Sequence, residues 1–216
     1  CIRDRKRLYQ LVFGDHPYAG DPSGTRSSVE AITGEQMAAF HSRYYVAKNA
    51  LVAVVGAVER KQAEQIAERL TSALPVGEAA PALPEVPRLD EARLERIAFP
   101  SSQSHLYLGQ PGMRRGDPDY FPLYVGNHIF GGSGLVSLLS GEVREKRGLS
   151  YSVYSYFLPM RQPGIFQLGL QTKNAQAAEA LQVMQQTLQR FIDQGPDAEE
   201  LKAAKQNITG GFPLRI

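Results

Sequence analysis

Four histidines, His16, His41, His105 and His128, are the residues best suited to hold a metal, and their spacing argues against it. Two ligands on one helical face need an i, i+4 separation, which no pair of these histidines has. His41 falls beside Phe40 and Tyr44 in an apolar helical pattern and His105 in a strand pattern, so both read as structural. His16 precedes Pro17 in a turn-rich stretch and is expected to anchor that turn. The single cysteine, Cys1, excludes an internal disulfide and a cysteine-rich zinc site.

Ser133 lies in Gly131-Gly-Ser-Gly134. A nucleophile elbow needs Gly-x-Ser-x-Gly after a strand, and here both spacing and context fail. No lysine or threonine follows to complete a phosphate-binding loop, so the glycines are expected to open a helix tightly and admit another backbone closely. The remaining candidate segment runs from Ser140 to Tyr154, where the charge run Arg144-Glu-Lys-Arg147 precedes Gly148. From the residues alone, it is a capped helix with a solvated charged face, followed by a strand whose Tyr151 packs on the core.

The elements that position these groups follow from composition and pattern. At 216 residues and 43% hydrophobic content, the chain can bury one large core or two modest ones. Its 24 basic and 22 acidic residues leave a charge of +2 without runs of like charge, which excludes a nucleic-acid or polybasic membrane surface. The longest apolar stretch, Ala50 to Val58, is far short of the roughly 20 residues that span a bilayer, so no membrane span is expected.

Arg3 to Phe13 reads as the end of a helix, and Thr33 with Gln36 as a capping box opening another through Met37, Phe40 and Tyr44. Leu51 to Val55 is β-branched enough for a buried strand, and Glu59 to Leu74 returns to helical period. The proline-rich stretch Leu74 to Pro87 suits an extended linker. Beyond it, Glu95 to Phe99 and His105 to Gly109 read as strands, and Asp119 to Phe130 and Leu135 to Lys146 as helices. Tyr151 to Leu158 and Ile165 to Thr172 form an antiparallel pattern, followed by helices from Ala175 to Gln194 and after Pro196. The predicted class is α+β, with an antiparallel sheet and helices on one side of it.

Gly131-Gly-Ser-Gly, Leu138-Leu and Glu142-Val-Arg-Glu-Lys-Arg-Gly-Leu-Ser-Tyr-Ser-Val resemble the C-terminal half-domain signature of insulinase, pitrilysin and mitochondrial processing peptidase relatives. Upstream, His16-Pro-Tyr, Gly24-Thr, Ile32-Thr and Phe40-His-Ser-Arg-Tyr-Tyr-Val-Ala-Lys-Asn through Gly56 are similar to the end of the same family's N-terminal half-domain. The resemblance covers nearly the whole chain. It implies that residues 1–75 end one mitochondrial-processing-peptidase-like half-domain, 76–94 link, and 95–216 form most of the second, with both chain ends falling inside a longer protein.

In that family an arginine and a tyrosine seven positions apart reach the active site and hold substrate backbone, and Arg144 and Tyr151 have that spacing. A guanidinium and a phenol are donors suited to a carbonyl oxygen that gains charge during metal-assisted hydrolysis. The family's His-x-x-Glu-His zinc motif is absent from the chain, so no catalytic or metal-binding residue is expected here. The resemblance implies zinc in a catalytic half-domain, on the same chain or a partner subunit, and an extended peptide as substrate. The alternative it offers is a non-enzymatic assembly or partner subunit. A bacterial source, with the periplasm or cell envelope as the preferred location, is the accompanying expectation.

Overall fold

Alternation along three segments builds an antiparallel sheet. The computed structural model describes residues 2–214; Cys1 and the terminal Arg215 and Ile216 lie outside the described residues. Strands β1 (Gln103–Pro111), β2 (Val153–Leu158) and β3 (Ile165–Lys173) pair in the order β1-β3-β2, with Leu106 and Val153 both opposite Leu170. Successive side chains of a strand point to opposite faces, so β3 divides its residues between two cores. Phe166, Leu168 and Leu170 pack with Ala180, Val183 and Met184 of the long helix α7 (Ala177–Gln194). Ile165 faces the other way, onto Val12 and Phe13 of α1 (Ile2–Phe13). The helices therefore do not lie on one side only. Gly109 of β1 lets α1 approach, since a Cβ there would sit 3.2 Å from Leu8.

Two compact units emerge: the residues up to Asp21 together with those from Leu83 onward, and Pro22–Ala82. The second contains α2 (Arg26–Glu30), α3 (Gly34–Tyr44) and α4 (Arg60–Thr71). Its expected capping box forms, with the Gln36 amide donating to Thr33 Oγ1 at 3.2 Å and the Thr33 amide to Gln36 Oε1 at 3.0 Å. Within 22–82, only Val46 is buried. The proline-rich run returns to this region, where Ala47 N–H donates to Pro75 O at 2.8 Å and Ala80 N–H to Asn49 Oδ1 at 2.7 Å.

Leu51 to Val55 is not a strand, and Leu51 and Val55 are 91% and 98% exposed. β-branched residues favour a strand only where a neighbour pairs with the backbone, and among the described residues none does. Glu95 to Phe99 is likewise unpaired; Glu95 instead holds the Arg7 guanidinium at 2.7 Å, and Arg3 lies over the Phe99 ring.

Both helices around the glycine turn depart from simple α geometry. Helix α5 (Tyr120–Asn127) continues into a π turn, His128–Gly132. The next helix begins as the short α6 (Leu138–Ser140), capped by Ser137, and widens into a second π turn, Gly141–Glu145. Gly148 ends it at φ +61°. Helix α8 (Ala198–Gly211) opens on a reciprocal Asp197–Glu200 box.

Candidate functional site

The second π turn brings a buried carboxylate under three cations. Glu142 is only 8% exposed, and its Oε1 accepts from Lys146 Nζ at 2.9 Å and from Arg190 Nη2 of α7 at 3.0 Å. Arg147 Nη1 donates to Oε2 at 2.6 Å and also to the Glu142 carbonyl at 2.8 Å. These contacts, Lys146 first and then Arg147 and Arg190, push the Glu142 carboxyl down to about 2 against the opposing effect of its burial. The charge run is thus not simply solvated, because two of its members neutralise Glu142. No role of its own is assigned to Glu142 from the sequence, although its i, i+4 spacing to Lys146 is a visible signal.

Arg144 points elsewhere. Its guanidinium carbon stands 4.8 Å from the centroid of the Tyr151 ring, and its Nε lies 3.5 Å from Glu145 Oε1. Tyr151 is 83% exposed, so the residue-level expectation of a tyrosine packed on the core does not hold. The intervening loop is fixed from below. Leu149 is buried, its N–H donates to Val143 O at 2.9 Å, and its carbonyl accepts from Thr172 Oγ1 at 2.5 Å. Plugging Leu149 inward leaves Arg144 and Tyr151 together on the outside. A cation over an aromatic face is attracted by the ring quadrupole while its N–H edges stay available as donors.

The glycine turn permits the expected close approach. A Cβ on Gly131 would lie 2.9 Å from Ser155 N and 2.8 Å from Leu139 Cδ1. Nearby, Ser155 Oγ donates to Asn127 Oδ1 at 2.7 Å and Asn127 Nδ2 to Ser155 O at 3.2 Å, fixing β2 to the end of α5. Ser133 donates its N–H to His128 O at 3.1 Å and so closes the first π turn.

The histidines are dispersed. His16 Nδ1 accepts from Tyr18 N–H at 3.1 Å and its Nε2 lies 3.0 Å from Pro84 O, which anchors the turn as expected. His41 stacks on Tyr45, and His105 lies 3.7 Å from Asp4. Among the described residues, no group of three or more histidine, cysteine or acidic side chains could hold a metal ion. No described helix is long and apolar enough to cross a membrane.

Helices on an antiparallel sheet, with an arginine–tyrosine stack at the surface, define an α+β half-domain. The peptidase M16 inactive domain matches residues 31–208, and the chain belongs to that family. It is 31% identical to an uncharacterized zinc protease of Streptomyces coelicolor, over 100% of this chain and 48% of that protein. A non-peptidase homolog from Helicobacter pylori is 28% identical over 96% of this chain and 48% of its own length. The crystal structure of a peptidase M16 inactive domain from Pseudomonas fluorescens superposes with a TM-score of 0.92 at 40% identity, covering 95% of this chain and 50% of that one. The chain thus spans about half the length of these relatives.

Proposed function

We propose that the chain is the substrate-binding and chamber-forming portion of a zinc-dependent peptidase, in which Arg144 and Tyr151 hold the backbone of an extended peptide. The observation that carries this reading is the stack of the Arg144 guanidinium on a largely exposed Tyr151. It presents a cation and a phenol side by side, two donors that a peptide carbonyl can accept from. In this reading residues 1–75 complete a preceding half-domain, 76–94 link, and 95–216 belong to the second. The described residues do not fit a zinc site. Zinc, and the activation of water that it provides, belong to a catalytic half-domain on the same chain or on a partner subunit, and the residues here only position substrate.

Binding to the chain tests this directly. The sequence contains no tryptophan, so the fluorescence of a tryptophan-containing peptide, excited selectively, reports its own binding. Saturable binding that weakens in Arg144→Ala and Tyr151→Phe is expected. Equal binding by both variants and the parent chain would overturn the reading. A second reading, a non-enzymatic partner or assembly subunit, is favoured by the Helicobacter pylori relative being named a non-peptidase homolog. It predicts that a catalytic partner is captured while free peptide is not.

A further inference from the structure

Glu142 holds one residue four positions ahead and another five positions ahead, and that combination is informative. An α-helix has 3.6 residues per turn, so a residue at i+4 lies almost above residue i, whereas one at i+5 is displaced by roughly 140° around the axis. A π turn closes i to i+5 and brings that residue back over the first. Here Lys146 N–H donates to Gly141 O at 3.0 Å, the i+5 closure. On the side-chain level Glu142 takes Lys146 with one oxygen and Arg147 with the other, and the same Arg147 nitrogen reaches the Glu142 carbonyl. Arg190 then ties the assembly to α7. The Arg147 contacts suit the wide turn and would be lost on a return to α geometry, which the Lys146 pair alone would survive.

Closing the turn the α way would add about one residue's worth of winding and rotate the residues after it by roughly 100° relative to those before it. Arg144 lies inside this turn, with Tyr151 beyond it, so the register decides whether the two side chains meet. Burial fixes the remaining faces. Val143 and Leu149 occupy the core on either side of Arg144, which leaves the arginine little freedom to find the tyrosine from another register.

We propose that Glu142 is a positioning residue that, through Lys146, Arg147 and Arg190, keeps residues 141–145 as a π turn and so aims Arg144 at Tyr151. The use of that aim rests on the substrate-holding reading above; the geometry does not. Glu142 touches no substrate in this account. It prepares the pair before any peptide arrives, which lowers the ordering cost of binding.

A spectroscopic test separates the two. Protons of a guanidinium arm held over an aromatic ring are shifted upfield by the ring current, so the δ-methylene protons of Arg144 should be shifted in the parent chain and normal in Tyr151→Leu. Glu142→Gln and Arg147→Ala should each lose at least half of that shift while the core methyl resonances of Val143 and Leu149 stay dispersed. Arg147→Ala leaves Glu142 paired with Lys146 and Arg190, and it decides the matter if Glu142→Gln does not fold. An unchanged Arg144 shift in the folded variants would overturn the proposal and leave the substrate-holding reading standing. With the tryptophan peptide as probe, Glu142→Gln should weaken binding about as much as Arg144→Ala and add nothing in the Arg144→Ala background. Additive losses would mean that Glu142 acts other than through Arg144. Absence of peptide binding by the parent chain, with the ring-current result as expected, would remove the substrate-holding reading and keep the positioning one.

Discussion

The guanidinium of Arg144 stacks on the ring of Tyr151, 4.8 Å from its centroid, although the two residues come from different elements and only one of them is substantially exposed. The pair is assembled by the burial of Leu149 between them and by the turn at Gly148. Because neither side chain fills the core, the pair can be altered without dismantling the fold.

Tyr151→Phe keeps the ring and deletes one hydroxyl. In a complete enzyme with its catalytic half present, turnover of a short peptide should fall by roughly 10²- to 10³-fold if that hydroxyl donates to a developing oxyanion. The thermal midpoint should barely move, since changes at exposed positions are usually within about 0.5 kcal/mol. Full activity in Tyr151→Phe, or activity lost only in step with stability, would make Tyr151 structural.

Glu142 gives the fold a pH dependence of known sign. Its folded pKa, about 2, lies below the value of about 4.5 expected for an unfolded chain, so the folded state binds the proton less readily. The contribution is complete above about pH 5 and is lost as pH falls toward 2. Its size should be on the order of 1–3 kcal/mol, because the partner cations are 40–65% exposed and solvent screens them. Urea midpoints at pH 6 and about pH 3 should differ more for the parent chain than for Glu142→Gln. Parallel losses in the two proteins would contradict the assignment.

Gln167 sits in β3 with no exposed surface, and among the described residues neither atom of its amide has a hydrogen-bond partner. An unsatisfied buried amide costs about 1–3 kcal/mol, which an apolar side chain of similar shape avoids. Gln167→Met is therefore expected to raise the thermal midpoint by a few degrees, the shift that about 1 kcal/mol produces. A clear fall would show that the amide is satisfied by a water or another group.

Much of the fold is legible in the sequence, and the failures share a cause. Local signals hold: the Thr33–Gln36 box, the positive φ of Gly148 and the antiparallel β2–β3 pair depend on residues close in sequence. Leu51 to Val55 and Glu95 to Phe99 carry equally good local signals, yet a strand needs a partner, and sequence pattern does not say whether one is present. The π turns are invisible because widening a helix by one residue leaves its apolar spacing nearly unchanged over so short a span. For the site, the pattern of residues alone sends Tyr151 to the core, and only the family resemblance singles it out with Arg144. Their direct contact depends on the burial of Leu149 between them, and the tie from Glu142 to Arg190 is a tertiary contact that local pattern does not carry.

The scarcity of buried residues in 22–82 bears on how the chain unfolds. Two apolar clusters hold the sheet, α1 and α7, whereas Val46 alone is buried in the other unit. Without a comparable core, helices α2 to α4 have little to make their melting all-or-none. Ellipticity in the far ultraviolet should therefore decline gradually below the main transition as these helices fray. The near-ultraviolet tyrosine signal, carried mostly by residues outside 22–82, should change in one sharp step. Two probes that do not coincide rule out a two-state description, so a single free energy fitted to either curve would belong to neither unit.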